Sequence, residues 1–293
     1  MYELVQAGPR SYYIDCPAKI GIYHQGDGRA VLIDSGNDKD AGRKVRKLLD
    51  QNGWTLSAIL NTHSNADHIG GNHYLQQQYG CPIFAPGIEA AFTRWPILEP
   101  AFLYGGYPFA ELRHKFLMAA PSEVQDLSAP GFPGEVEVLP LPGHFFDMVD
   151  YRTPDGTVFL ADCLSSEATL EKYQLSFLYD VQAYLDTLDK VAGMEAELFV
   201  PAHAGATADI RPLAEANRAK VLEVADQLCG LCAAPLSFDV LLQRVFDRFG
   251  LTMTYEQYVL IGSTVRSYLS WLKDQGRLDC TIERNLLLWA RRG

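Results

Sequence analysis

No apolar run in these 293 residues reaches the roughly 20 positions a helix needs to cross a bilayer, so a membrane-spanning chain is not expected. Positive charge is also scarce: 25 Lys and Arg stand against 36 Asp and Glu, a formal net charge of -11. That surplus repels phosphate backbones and anionic headgroups, which argues against nucleic acid or a membrane surface as partner. The opening residues, MYELVQAGPRSYYIDC, lack the basic start and apolar stretch of a secretory signal, and a cytoplasmic location is the expectation. The six cysteines, at 16, 81, 163, 229, 232 and 280, are scattered through a chain long enough to build a core without staples. Reduced thiols follow. Cys229-Gly-Leu-Cys232 is a lone CxxC with no second pair and no thioredoxin-like strand before it, and it reads as helix-end packing. Internal repeats and low-complexity tracts are missing too.

What the chain does have is a series of apolar, β-favouring runs that each lead into His or Asp. RAVLIDSG reads as a buried strand stopped by Gly36, and NDKDAGRKVRKLLDQNG as the helix after it, with acidic residues in its first turn. SAILN then delivers the chain into THSNADHIGGN, a loop that resumes as a short helix. EVEVLPLPGH, TVFLADCLS and ELFVPAHAG repeat the pattern. Between the last two, Val181, Tyr184, Leu185, Leu188, Val191 and Ala192 mark one helical stripe, which is core.

Residues 85–130 break the rhythm. Phe92, Trp95, Phe102, Tyr104, Tyr107, Phe109 and Phe116 are interleaved with Pro and Gly without sustained periodicity, which reads as an insertion that covers a pocket or moves as its lid. Ala233-Ala234-Pro235 offers a boundary that divides residues 1–232 from residues 233–293. The tail, two helical stretches followed by RLDCTIERNLLLWARR as a hairpin, resembles a winged helix. DNA binding is one use of such a module; a docking or dimerising appendage, with a homodimer as its product, fits an acidic chain better.

His63, Asp67 and His68 follow one strand, and further strands lead to His144, Asp162 and His203. Strand ends converge on one edge of a sheet, so six side chains that bind divalent metal can meet there. One His after a strand is an ordinary turn residue, but six such groups buried together without a cation would leave charge and polar atoms unpaired. The string His63-x-Asn65-x-Asp67-His68, with the later Gly-His144, Ala-Asp162 and Ala-His203, resembles the metallo-β-lactamase superfamily over residues 10–210.

The resemblance implies an α/β fold, a four-layered αβ/βα sandwich with metals at one edge between two sheets, here carrying a small winged-helix-like C-terminal unit. It assigns His63 and His144 to a first metal, Asp67, His68 and His203 to a second, and Asp162 to a bridge between them. Asn65 stands where the first metal would receive another His, and Asp34 matches an acidic position that supports the ligands, with a strand-end turn cap as the plainer reading. One or two divalent cations are implied, zinc first, with iron or manganese as the alternatives. Such a pair lowers the pKa of a water and polarises a carbonyl or phosphoryl oxygen, which makes hydrolysis the expected activity. Its substrate would be a small ester-like, thioester, lactone or phosphoester molecule, with Asp67 ligating a cation and orienting the water or accepting its proton.

An amide oxygen is a weaker donor than imidazole, so the first metal should bind less tightly than the second. A mononuclear site on Asp67, His68, His203 and Asp162 is the next outcome, and two other functional readings stand beside hydrolysis. One is a mononuclear non-haem iron oxygenase resembling persulfide dioxygenases, on two His and one carboxylate. The other is a degenerate site serving as the base of a winged-helix interaction protein. β-Lactamase activity itself is not expected of a cytoplasmic chain. The loop around Lys172 and Tyr173 is a candidate substrate contact, with a solvated Lys and a packed Tyr as the plainer reading.

Overall fold

The computed structural model describes residues 2–292. Seven strands form the first sheet in chain order: β1 (Glu3–Gln6), β2 (Ser11–Asp15), β3 (Ile20–His24), β4 (Arg29–Ile33), β5 (Thr55–Leu60), β6 (Ile83–Ala85) and β7 (Gln125–Asp126). The first four strands pair antiparallel and the last four parallel. A second sheet holds β8 (Glu137–Pro140), β9 (Val149–Arg152), β10 (Thr157–Ser165) and β11 (Leu198–His203), in the spatial order β11-β10-β9-β8.

Both faces of β4 are buried, which is why its sequence is a continuous apolar run rather than an alternating one. Ala30 and Leu32 face one way, onto Val45 and Leu49 of α1 (Lys39–Gln51) and, beyond a short α2 (Ala66–Ile69), onto Leu75 of α3 (Asn72–Tyr79). Val31 and Ile33 face the other way, onto Val149, Tyr151, Phe159 and Val200 of the second sheet. A Cβ on Gly21 would lie 2.7 Å from the Phe159 ring, so a glycine lets the sheets approach there. The far side of the second sheet packs Val158 and Leu160 against α7 (Val181–Ala192) and α8 (Arg211–Leu231). Helix, sheet, sheet, helix is the expected four-layered α/β sandwich.

Residues 85–130 hold more regular structure than their sequence promises. They form α4 (Glu89–Arg94), α5 (Leu98–Tyr104) and a 3-10 turn at Ala110–Leu112. Helices of six and seven residues are too short to show a periodic stripe. A further helix, α6 (Glu167–Tyr173), follows β10. The tail runs β12 (Leu236–Ser237), α9 (Phe238–Phe249), α10 (Tyr255–Asp274), β13 (Leu278–Glu283) and β14 (Leu286–Arg291), with the strands ordered β12-β14-β13. Its core is continuous with that of the sandwich: Leu228 and Cys229 of α8 join Leu241, Val245, Val265 and Leu269 in one cluster. Cys232 is buried in that cluster at the end of α8. On its other side, Val259 of α10 packs against Leu103, Leu112 and Leu117 of the insertion. No helix among the described residues is long and apolar enough to cross a membrane.

Candidate metal centre

The strand β5 ends at Leu60, and the next residues are held by Asp34 at the end of β4. The Asp34 carboxylate accepts from the Thr62 backbone N–H at 2.9 Å, from the Thr62 hydroxyl at 2.7 Å and from His68 Nδ1 at 2.7 Å. Asp34 takes a left-handed φ of 63°, a costly conformation that these three bonds hold in place. Gly70 and Gly71 complete the clamp. A Cβ on either would fall 2.2 Å from Asn37 or 2.3 Å from the Ser35 carbonyl, so this glycine pair lets α2 press His68 onto the loop after β4.

The four histidines repeat one arrangement. His63 Nδ1 lies 3.0 Å from the Thr62 hydroxyl, whose proton goes to Asp34; His68 Nδ1 donates to Asp34, His144 Nδ1 to the Phe177 carbonyl at 2.9 Å, and His203 Nδ1 to the Pro17 carbonyl at 3.0 Å. Each Nδ1 thereby carries a proton, and each Nε2 is the ring nitrogen that faces a common centre. Asp162 stands at that centre: its Oδ1 is 2.8 Å from His68 Nε2 and 3.2 Å from His203 Nε2, and its Oδ2 is 3.6 Å from His144 Nε2. Asp67 Oδ2 lies 3.7 Å from His68 Nε2 and 3.6 Å from His203 Nε2.

The ligand-type atoms fall into two groups, Asp67, His68, Asp162 and His203 in one and His63, His144 and Asp162 in the other, each within 4.8 Å. All six side chains expected from the sequence meet here. Asp162 lies inside β10 rather than at its end, where the pairing with β11 shifts register between Leu160 and Ser165. That irregularity aims the carboxylate at the sheet edge. His63 Nε2, His68 Nε2 and Asp162 Oδ1 are buried without a hydrogen bond; His68 and Asp162 are close but misdirected for one. Imidazole nitrogens and carboxylate oxygens that converge in this way, three of them without a hydrogen bond, are the donor set of a divalent cation, and the residues fit one.

Asn65 is half-buried beside His144. Its Oδ1 is 3.0 Å from His144 Nε2, and its Nδ2 donates to Glu99 of α5 at 2.8 Å. A second glutamate, Glu89 of α4, accepts from the Ser64 backbone N–H at 3.1 Å, the Ser64 hydroxyl at 2.5 Å and the Asp147 backbone N–H at 2.9 Å. It ties the loop of His63 to the loop of His144. Burial pushes the Glu89 carboxyl up to about 7 and raises Glu99 well above the carboxylate range. Sequence reasoning missed both. Their signal was two acids within the apolar string IEAAFTRWPILEPAF, where an unpartnered carboxylate would be costly.

The electrostatics divide the cluster. Burial, reinforced by His68, holds His63 well below the ordinary imidazole value, and burial lowers His144. Burial also opposes the His68 imidazolium, but Asp162, Asp67 and Asp34 outweigh it and raise His68 well above that value. Asp162 raises His203 likewise.

A cavity of about 560 Å³ opens over His144, Asp162 and His203. Its walls are Lys172 and Tyr173 of α6, Phe177, and Leu260 and Ile261 of α10. The insertion, expected to cover the pocket, contributes none of this lining. Phe92 is buried with Phe102, Phe145 and Phe146 behind the site, whereas Trp95 (67% exposed), Tyr107 (74%) and Phe116 (65%) point to solvent. The tail supplies the wall instead. A larger groove of about 850 Å³ lies between α5, the start of α7 and α10 and touches no residue of the cluster.

A sequence profile of the metallo-beta-lactamase superfamily matches residues 15–203. Hydroxyacylglutathione hydrolase from Bradyrhizobium sp. (strain ORS 278) is 32% identical over 146 residues, which are 50% of this chain and 47% of that protein. The enzyme of the same name from Nitrobacter hamburgensis is 34% identical over 123 residues, 42% of this chain and 39% of that protein. The chain thus spans about half the length of the curated relatives it matches. Among solved structures, a metallo-beta-lactamase family protein from Thermus thermophilus superposes with a TM-score of 0.72 at 20% identity, over 97% of this chain and 99% of that one. A beta-lactamase domain protein from Burkholderia ambifaria gives 0.70 at 16% identity, over 99% of this chain and 94% of that one. The shared fold therefore extends through the tail.

Proposed function

Because the chain belongs to the metallo-β-lactamase superfamily, we propose that it is a metal-dependent hydrolase of small acyl substrates, a thioester or related ester, that holds two divalent cations. The carrying observation is the convergence of four histidine Nε2 atoms on the two sides of Asp162, each ring fixed through its Nδ1. His63, His144, Asp162 and the Asn65 amide oxygen would hold one cation; Asp67, His68, His203 and Asp162 would hold the other. Bound there, the pair supplies Lewis acidity to the acyl oxygen and makes water acidic enough to attack near neutral pH.

The chain's own residues do the rest. Asp67, its side chain 44% exposed beside His203, is placed to orient an incoming water and take its proton. The cavity walls from α6 and α10 would hold the acyl group in a slot of the volume usual for small-molecule sites. Hydrolysis breaks the C–S or C–O bond, leaving a carboxylate and a thiol or alcohol. The thioester reading draws on the relatives' name; their glutathione does not transfer, because less than half of each relative is aligned.

The tail serves, in this reading, as a winged-helix-like wall of the active site rather than as a reader of DNA. In DNA-binding relatives of that motif the second helix is free to enter a groove. Here α10 is packed on both sides, with Val265 and Leu269 in the main core and Val259 against the insertion. Turnover of a panel of thioesters, lactones and phosphodiesters by protein of known metal content tests the proposal. Fully loaded protein that hydrolyses none of them sinks it. A second reading has its own observation: His63, His144 and Asp162 form a two-histidine, one-carboxylate set of the kind that binds non-haem iron. Oxygen uptake by iron-loaded protein with a persulfide would put it first.

A further inference from the structure

Asn65 occupies the N-cap of α2 with extended backbone (φ -62°, ψ 144°), the position from which an Asn side chain ordinarily accepts from the first turn of the helix. It makes no such bond. Its amide is turned instead between Glu99, which receives the Nδ2 proton at 2.8 Å, and His144, whose Nε2 lies 3.0 Å from Oδ1. The His144 Nδ1 proton is committed to the Phe177 carbonyl, so Nε2 offers only a lone pair. Two acceptors therefore face each other beside His63 Nε2, itself buried without a partner. A proton between them would resolve that opposition, and so would a cation lying against both.

We propose that Glu99 is a positioning residue for the metal centre: by accepting from Nδ2 it fixes the Asn65 amide with its oxygen toward His63, His144 and Asp162, and so makes Asn65 a ligand. The proposal rests on the metal reading given above. Both faces of an amide have the same shape, and in the opposite orientation Asn65 would present N–H groups that repel a cation. Glu99 decides between them. Its Oε1 accepts from Nδ2 and so holds the amide in the first orientation, whereas an apolar side chain here would leave the orientation open. The position is costly, since Glu99 is 5% exposed, and Glu89 pins the preceding residue from the neighbouring helix of the same insertion. On this account the insertion is the back plate of one metal site rather than a lid over the substrate.

Cobalt(II) titration of metal-free protein, followed by absorption and by bound metal per chain, tests the inference with Glu99→Met, Glu99→Gln and Asn65→Ala. Wild type should take up two cobalt ions in distinguishable steps. Glu99→Met, which removes the acceptor while keeping the volume, should weaken the His63-side step by about tenfold and leave the other unchanged. Glu99→Gln should bind nearly as wild type, because its amide oxygen can accept the same bond. In an Asn65→Ala background Glu99→Met should add no further loss. Equal binding by wild type and Glu99→Met, or the same loss with and without Asn65, overturns the inference and leaves Glu99 a packing residue. Wild type that takes up no cobalt would overturn the metal reading first, an outcome plainly different from the other two. Glu99→Leu replaces the Met variant should the latter not fold.

Discussion

The two halves of the cluster share Asp162 and are supported by different parts of the molecule. The His68–His203 half rests on the sandwich itself: Asp34 at the end of β4 and the Pro17 carbonyl take the Nδ1 protons. In the His63–His144 half, Asn65 donates to Glu99 on α5, and Glu89 of α4 binds the two loops together. Charge follows the same division. Three carboxylates surround His68 and raise its pKa, whereas His63 and His144 are buried among other histidines and lowered. One half must shed protons to bind a cation, and the other offers bare nitrogens with, on the proposed ligand set, a weak fourth donor.

That contrast can be broken at its shared member. Asp162→Asn should cost both cations more than about a hundredfold in affinity, since it removes a donor from each half, and turnover should vanish with them. Metal content after gel filtration reads this directly. If one cation stays at full occupancy, Asp162 does not bridge.

A smaller effect separates the halves. Asp34→Asn should weaken the His68 side by about ten- to a hundredfold, because the ring loses its charged anchor. The His63 side, reached only through Thr62, should lose less. Isothermal titration with zinc gives both constants, and equal losses would erase the distinction.

The pH dependence sharpens it further. His68 and His203, with pKa values raised above 6.5, keep protons that a cation must displace, so affinity on that side falls as pH drops through the raised range. The limit is about tenfold per pH unit for each proton displaced. His63 and His144 are lowered below 6.5 and should show little dependence above that pH. Titrations at several pH values between about 6 and 8 should give two slopes; a common slope contradicts the division of charge. The smallest change is at Asn65, where Asn65→His should tighten the first cation severalfold by substituting a stronger donor. Unchanged affinity would mean that Oδ1 is no ligand.

Much of this centre was legible in the sequence because its parts follow the strand ends. RAVLIDSG, SAILN, TVFLADCLS and ELFVPAHAG are apolar runs, and the sandwich buries both faces of β4 as their composition requires. The early strands β1–β3 were not legible, since Tyr12, Tyr13 and Gly21 blur both the alternation and the apolar run. Glu89 and Glu99 were missed for another reason: nothing local in α4 and α5 shows that their carboxylates meet Ser64 and Asn65 across the fold. The wall from α10 was hidden likewise, because Leu260 and Ile261 read as helix core until the tail is docked over His144 and His203.

The first cation, on the His63 side, should be held less tightly than the second. Stepwise chelation of the cobalt(II) protein in mildly alkaline buffer, where the protons to be displaced on the His68 side handicap its cation less than at neutral pH, tests this. Each of the four Nδ1 protons is hydrogen-bonded and, next to cobalt, gives its own shifted proton resonance. The shifted signals of His63 and His144 should disappear while those of His68 and His203 persist. Loss of the His68 and His203 signals first, or of all four together, would contradict it.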